Sequence, residues 1–476
     1  MVRLRLSGIL LIFMLVLTLV PVTTVYGATI EVEVGTDPNP PVTDGNCTLR
    51  EAIENANDDL PTWTDCTSGA AGVDTITFKA GVTKVTWTNG TQTGEIFVDE
   101  NLNIAQPIIL DGGGVSRLFR IASDATLTMA NVTMQNGFTL GAGGVILIDS
   151  GELVLVNCNV KDNEAEGTGG AIAAFGSENN VDITNCNFEN NIAGTDGGAI
   201  SKITNGEMNI TTSKFVDNKA DNSGGAIHTG GVGTITATMF KDNKAKGDLD
   251  TEGGGAIFFA NSAQFNIVAS AFAGNQTSGT DGRGGAIFNA FGSTLAIEYS
   301  HFGTTPIPLP APFDSLTAAN ETLGAEGIGG AIYNRDELAI LGSSFIGNKS
   351  AKDGGAIAND SVDSDNAFAA NSTFHNNVAA GKGGAIYLFN FNREISLYNS
   401  TVSKNTGGNG GGIFNDSSAG GVRLLNTIIF NNDDVNCAGT NVGNIANNLL
   451  TGEACPADTT ILEGDADLEA LELVFS

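Results

Sequence analysis

Acidic side chains are the groups in this 476-residue sequence whose number most suggests chemistry. Asp and Glu total 53, against 22 Lys and Arg. Asp217, Asp242, Asp248 and Asp250 recur between repeated motifs, and oxygen ligands of this kind suit Ca²⁺. Because no Gly-Gly-x-Gly-x-Asp repeat or twelve-residue calcium loop is present, solvated acidic loops are the favoured interpretation. No cofactor is predicted to be required, and bound Ca²⁺ stays open.

Aromatic rings form the second candidate set. Phe258, Phe288, Tyr333, Tyr387 and Phe414 occupy one position, directly after an isoleucine, in five of six consecutive copies of a repeat, and Ala358 occupies it in the sixth. Exposed rings in a row indicate a partner, so these five are candidate ligand-binding residues for a carbohydrate or a protein surface. The alternative is that loops cover the rings, or that they only stabilise neighbouring strands.

Catalysis would need groups that converge on one bond. Cleavage of a polysaccharide requires two or three carboxylates across the glycosidic bond, or a base with a neutralising cation. The repeated aspartates are instead spread along the chain, and His228, His301 and His375 have no triad context. Catalytic residues are therefore unknown from the sequence. A non-enzymatic protein is favoured, with a polysaccharide lyase or glycoside hydrolase as the alternative.

An internal repeat must position all these residues. Gly-Gly-Ala-Ile or a close variant occurs ten times, beginning at Gly143, Gly169, Gly197, Gly224, Gly254, Gly284, Gly329, Gly354, Gly383 and Gly410. The period is 25 to 30 residues apart from one interval of 45, and the text between copies alternates with a strand period. Short units of this kind bury a core only by stacking. The sequence predicts an all-β, right-handed parallel β-helix of the pectin-lyase-like type.

A second signature, apolar-x-x-Asn, accompanies each copy. Phenylalanine recurs at Phe188, Phe215, Phe240, Phe272, Phe302, Phe345 and Phe374, and most of these are followed three residues later by asparagine. We expect the isoleucines and phenylalanines to face inward and the asparagines to form turns, since Asn tolerates the left-handed conformation. After Phe302 the expected asparagine is replaced by Thr305.

Together the two signatures resemble the repeats of the chlamydial polymorphic outer membrane proteins and related bacterial surface proteins. Upstream, Cys47-Thr48-Leu49-Arg50-Glu51-Ala52 is similar to the motif that names the CSLREA domain of secreted β-helix proteins. The resemblance implies a cell-surface or extracellular β-helix and leaves its activity open, because a fold does not fix a function.

The two ends of the chain have distinct predicted roles. Residues 1–27 have the basic start and short apolar run of a signal peptide, which predicts a secreted or cell-surface protein with no integral membrane domain in the mature chain. Residues 28–73 form a CSLREA-like cap whose helix begins at the capping box of Thr48 and Glu51. Residues 74–432 form the β-helix, with regular repeats over 143–432, and 433–476 form a C-terminal tail or cap.

Six cysteines in an exported chain predict disulfides. Cys47 with Cys66 and Cys437 with Cys455 would close the two ends. Cys158 and Cys186 occupy one position in adjacent repeats, which is compatible either with a bridge or with two small buried residues.

Charge and one insertion complete the prediction. A formal net charge of −31 argues against nucleic acid as a partner, since phosphate contacts need a basic surface. The long interval contains a Pro-rich insertion at 303–328, where alternating prolines favour an extended excursion. The favoured function is an adhesin-like or matrix-binding surface scaffold.

Overall fold

A computed structural model describes most of the chain from residue 26 onward. The described residues are 26–88, 94–122, 124–176, 178–305, 316–361, 367–389, 394–418, 420–433, 435–446, 448–450 and Cys455. The predicted signal peptide, except its last two residues, lies outside this part, as does most of the predicted C-terminal tail. In the described part, no helix is long and apolar enough to cross a membrane.

The chain winds through four parallel sheets and returns to the first after each repeat. One turn runs through Ile146–Ile148, Glu152–Val156, Asn159–Lys161 and Glu164–Ala165, and the next begins at Ile172–Ala174. The chain passes through four sheets in each turn, and we name them, in the order of the four strands just given, sheets C, A, B and D. Each strand pairs in parallel with its counterpart one turn away, so the predicted parallel β-helix is confirmed.

The strands of sheets A and B begin before the regular repeats. Sheet A has 15 strands, at Thr29–Val32, Asp74–Phe78, Leu102–Ile104, Thr126–Ala130, Glu152–Val156, Asn180–Thr184, Glu207–Thr211, Val232–Thr236, Gln264–Val268, Thr294–Glu298, Glu337–Leu341, Ala367–Ala370, Ile395–Tyr398, Val422–Leu425 and Val442–Ala446. Sheet B has 15 strands, at Thr36–Asp37, Lys84–Trp87, Ile108–Asp111, Val132–Gln135, Asn159–Lys161, Asn187–Glu189, Lys214–Val216, Met239–Lys241, Ala271–Ala273, His301–Gly303, Ser344–Ile346, Thr373–His375, Thr401–Ser403, Ile428–Phe430 and Leu449–Leu450.

Sheets C and D are shorter stacks. Sheet C has 13 strands, at Ile96–Val98, Phe119–Ile121, Ile146–Ile148, Ile172–Ala174, Ile200–Lys202, Ile227–Thr229, Ile257–Phe259, Ile287–Asn289, Ile332–Asn334, Ile357–Asn359, Ile386–Leu388, Ile413–Asn415 and Cys437–Gly439. Sheet D has 10 strands, at Phe138–Thr139, Glu164–Ala165, Ile192–Ala193, Lys219–Ala220, Lys244–Ala245, Gln276–Thr277, Glu321–Thr322, Lys349–Ser350, Val378–Lys382 and Thr406–Asn409.

The interior consists of columns of like side chains. The first isoleucine of each regular sheet C strand is fully buried, and the predicted phenylalanines form a second column from Phe188 to Phe374. Neighbouring rings in that column are near-parallel, with centroids 4.6 to 5.0 Å apart. Ring spacing therefore follows strand spacing, about 4.8 Å, so each ring packs on the next while leaving the water.

The asparagines of the second signature form a buried hydrogen-bond ladder between sheets B and D. Asn243 Nδ2 donates to Asn275 Oδ1 at 2.9 Å and to the Phe215 carbonyl at 2.9 Å. Asn243 Oδ1 accepts from the backbone and side-chain nitrogens of Asn218 at 3.1 and 2.9 Å. The left-handed residue of this corner is the one before the asparagine, such as Asp242. The expectation that the asparagine itself adopts this conformation was therefore wrong by one residue.

The long insertion does not interrupt this ladder. Asn320 accepts from Asn275 Nδ2 at 2.8 Å and donates to Asn348 Oδ1 at 2.9 Å. The prediction that Thr305 replaces the asparagine was therefore wrong: the chain leaves the stack before the asparagine and returns with it. The returning segment packs Leu316 on the outer face of sheet B, while the prolines within 306–315 lie outside the described residues.

A helix covers the first turn, as predicted. It spans Leu49–Asp58, and Thr48 and Glu51 form the reciprocal capping box. Its buried side chains, including Ile53, join the main core and cover the otherwise open end of the stack. Arg50 on this helix pairs with the buried carboxylate of Asp37 at 3.0 Å.

Disulfides close both ends. Cys47 bonds to Cys66 and Cys437 bonds to Cys455, which confirms both terminal pairs. Cys158 and Cys186 are buried and unbonded; the backbone nitrogen of Cys158 lies 3.2 Å from Cys186 Sγ. For this central pair the structure favours the interpretation as small buried residues.

Removal of one ladder asparagine should destabilise the stack. Asn243→Ala leaves the partners on both sides with unsatisfied buried groups, so we expect the free energy of unfolding to fall by about 3 kcal/mol. Urea denaturation measures this. Asn266→Ala, at an exposed position on sheet A, is the matched control and should change it by less than about 0.5 kcal/mol. Equal effects of the two substitutions would contradict the role given to the ladder.

Candidate functional site on the outer face of sheet C

The five aromatic residues predicted to bind a ligand form one column on the outer face of sheet C. Phe258 pairs with Phe288, and Phe288 with Tyr333, in adjacent strands. Their rings contact one another, with centroids 4.7 and 5.0 Å apart. Phe288, Tyr333, Tyr387 and Phe414 are only 1 to 6% exposed, however, and Phe258 is half-buried. The column faces away from the core, but it is not the open stripe of rings that a stacking sugar would need.

Neighbouring side chains cover this column. The Arg283 guanidinium lies 5.5 Å from the centre of the Tyr333 ring, and the Lys382 ammonium lies 4.5 Å from the centre of the Phe414 ring. Phe389 packs edge-on against Tyr333 and Tyr387. Cations over ring faces are attracted by the ring quadrupole, so these contacts stabilise the cover as well as shielding the rings.

Carboxylates border the column on the side of sheet A. The Tyr333 hydroxyl donates to Asp360 Oδ2 at 2.9 Å, and the Tyr387 hydroxyl donates to Asp416 Oδ2 at 3.1 Å. In each pair the aspartate belongs to the next turn along the stack. It stands two residues after the position that pairs with the tyrosine. Lys382 Nζ also bonds to Asp416 Oδ2 at 3.1 Å. The repeat thus generates the same diagonal tyrosine–carboxylate contact twice.

A third carboxylate approaches from the side of sheet D. Asp353 precedes a Gly-Gly motif and accepts a hydrogen bond from the backbone nitrogen of Lys382 at 2.7 Å. Burial raises the pKa of Asp353, and the nearby charge of Asp416 raises it further, against the lowering effects of that hydrogen bond and of two lysines. Burial also raises the pKa of Tyr387, as do the charges of Asp416, Asp353 and Asp360. We refer to Asp353, Asp360, Asp416, Tyr387 and Lys382 as the acid cluster.

The acid cluster has the groups required for two kinds of chemistry. Carboxylates and a lysine beside aromatic rings can bind the hydroxyl groups of a sugar. A carboxyl group with a raised pKa beside other carboxylates is also the arrangement by which glycosidases separate a general acid from a base or nucleophile. Asp353 would be the acid, and Asp360 or Asp416 the second carboxylate.

The four aspartates proposed for Ca²⁺ do not assemble. Asp217 and Asp242 are the left-handed residues of successive B–D corners, whereas Asp248 pairs with Lys246 on a loop and Asp250 is exposed nearby. Across the part of the chain that the structure describes, no three His, Cys, Asp or Glu side chains are grouped as metal ligands. A turn role accounts for the first two, because a short polar residue tolerates the left-handed conformation.

Sequence reasoning missed the acid cluster because its members come from three separate turns. Asp360 and Asp416 each stand three residues after a buried isoleucine, in a position filled by Phe175, Ile203 and Ala290 in other turns. If this position had been aligned across the repeats, as the aromatic position was, the two aspartates would have been recognised. Asp353 could not be recognised in this way, since its role depends on the loop that brings it to the neighbouring turn.

Comparison with known families gives one match. The model of the Chlamydia polymorphic membrane protein repeat matches residues 185–201, 212–230, 342–360 and 371–388. Each matched segment lies within the stacked turns, and the resemblance of the two signatures to these repeats is confirmed. No curated protein and no solved structure matches the chain. The similarity to the CSLREA motif stays a prediction.

The raised pKa of Asp353 predicts a pH-dependent effect of Asp353→Asn. Because the folded state favours the protonated carboxyl, the contribution of Asp353 to stability is fully present below its unfolded pKa and is lost as the pH rises through its folded pKa. The amide removes that ionisation and can still accept from Lys382. We expect the variant to gain stability relative to wild type between about pH 4 and pH 7, as measured by thermal unfolding. Asp250→Asn, at an exposed position, should show no such gain, and an equal gain would contradict the assignment.

Proposed function

We propose that this chain, which carries Chlamydia polymorphic membrane protein repeats, is an exported surface protein that binds a carbohydrate or protein partner without transforming it. The name of the repeat family supports a location at a bacterial surface. The signal-peptide pattern and the two disulfides agree with export, because disulfides persist in oxidising compartments.

One observation carries the proposal: the interior is uniform from turn to turn, and the variation between repeats lies outside. The isoleucine, phenylalanine and asparagine columns continue through the regular stack, while the outer face of sheet C changes from Ala173 and Ser201 to large aromatic rings. A stack of 15 strands at about 4.8 Å per step is about 70 Å long. A long rigid body with a variable outer face is suited to holding binding groups away from a surface.

The acid cluster favours a second candidate, a glycoside hydrolase or lyase acting on a polysaccharide. We rank it below binding for two physical reasons. Asp353 is only 8% exposed, so a glycosidic oxygen has little access to the proposed acid. Asp416 forms an ion pair with Lys382, which makes its carboxylate less available as a base or nucleophile.

A single assay separates the two candidates. The secreted, oxidised protein is incubated with a panel of neutral and acidic polysaccharides, and both bound protein and released products are measured. We expect retention on at least one polymer with no new reducing ends and no unsaturated products. A protein partner is tested in parallel by binding to intact cells after their surface glycans have been removed.

Asp353→Asn is the matched control for catalysis. Products formed by wild type and lost in this variant would establish the enzyme and contradict the proposal. Brief protease treatment of intact source cells tests location: loss of the protein while a cytoplasmic marker survives is expected, and survival of both would contradict a surface position.

A further inference from the structure

Three consecutive loops between sheets D and C are longer than their neighbours. Counted from the end of the sheet D strand to the Gly-Gly motif, these loops are 166–168, 194–196 and 221–223 in the turns before them, whereas the next three are 246–253, 278–283 and 323–328. The long loops are joined by parallel bridges from Gly253 to Arg283 and from Arg283 to Ile328. The Glu326 nitrogen also donates to the Thr280 carbonyl at 3.0 Å. They form an ordered ledge along one edge of the stack, which we name the D–C ledge.

A surface pocket of about 290 Å³ lies where the short loops give way to the ledge. Its floor is the outer face of sheet D, with Lys219 and Lys244. Its walls come from the first two ledge loops, with Lys246, Asp248 and the segment 278–280. The volume is near the lower end of the range for small-ligand sites, about 300 Å³, so the pocket suits one monomer or one substituent of a polymer.

Three lysines converge on this pocket in a chain whose formal charge is −31. Lys219 and Lys244 occupy directly paired positions on adjacent strands, and like charges placed opposite each other destabilise a sheet. Asp221 lies 3.6 Å from Lys219, and Asp248 lies 2.5 Å from Lys246. Among the described residues, no carboxylate lies within ion-pair distance of the Lys244 ammonium.

We propose that this pocket binds an anionic substituent, a carboxylate or a sulfate ester, on an extracellular polysaccharide. An anion between Lys219 and Lys244 would relieve the repulsion between them. The hydroxyl groups of Ser278 and Thr280 stand on the same wall and can donate to the remaining oxygens. The inference rests on the proposed binding function and names a ligand class and a site apart from the acid cluster.

The charge distribution favours a polysaccharide over a nucleic acid. The chain as a whole carries a formal net charge of −31, which repels a polymer with a phosphate at every unit. A polysaccharide can offer one acidic group to the lysines while its neutral hydroxyl groups contact the polar outer surface around them.

The test compares Lys244→Gln with Lys349→Gln in the full-length oxidised protein. Lys349 occupies the same outward position of sheet D three strands further along, is exposed, and lies outside the pocket. Binding is measured by calorimetry to hyaluronan, which carries a carboxylate on alternate sugars, to a sparsely sulfated dextran and to neutral dextran. The first two probes distinguish a carboxylate from a sulfate.

We expect wild type and Lys349→Gln to bind at least one acidic probe, and Lys244→Gln to bind it roughly five- to tenfold more weakly. The difference between the variants should shrink as salt rises from 20 to 200 mM. Equal affinity of the two variants, or failure of wild type to bind either acidic probe, would overturn the inference. Retained binding to a neutral polymer in the panel, or to cells stripped of their surface glycans, would then leave the proposed function standing, whereas loss of binding in all of these assays would remove both.

Discussion

The register of one turn on the next is the constraint on which the rest of this structure depends. In a parallel stack each residue lies against its own counterpart, so a slip by one position would turn every inward side chain outward. The asparagine ladder opposes such a slip, because each amide bonds at once to the next asparagine and to a carbonyl one turn back, as with Asn243, Asn275 and the Phe215 carbonyl. Its members are buried, and their hydrogen bonds are made with no competing water.

This ladder explains how the outer surface can vary without loss of the fold. The insertion leaves after Gly303 and returns by Asn320, so about half a turn of extra chain is accommodated without breaking a single step of the ladder. The D–C ledge is accommodated in the same way, since its loops lengthen between fixed strands. Loop closure adds little entropy cost per added residue, which makes such positions tolerant of change.

The interior could be predicted from the sequence because repetition averages out local ambiguity. Ten copies place isoleucine and phenylalanine on the inner face, and the structure confirms that placement. What failed depended on contacts between turns. Asn320 stands far from Phe302 in the sequence, so its membership in the ladder is visible only in space. The outward rings could be assigned to a face, but not their burial, since Arg283, Lys382 and Phe389 come from other segments to cover them.

The two candidate surfaces meet on one flank of the molecule. Arg283 belongs to the D–C ledge and lies over Tyr333, which in turn bonds to Asp360 of the acid cluster. Arg283 and Tyr333 therefore link the D–C ledge to the acid cluster. Under the two proposals, a single polysaccharide running along the stack would contact the acid cluster in one part and the pocket beside the ledge in another.

Hydrogen exchange most directly tests whether the ladder joins the turns on both sides of the insertion into one unit. The Asn275 nitrogen donates to Asn320 Oδ1 at 3.2 Å, and the Asn348 nitrogen donates to Asn377 Oδ1 at 3.0 Å. We predict that peptides containing Asn218, Asn275 and Asn348 exchange with protection that agrees within about tenfold, as expected for one cooperative unit. Fast exchange at Asn275, or separate protection levels before and after the insertion, would contradict a continuous ladder.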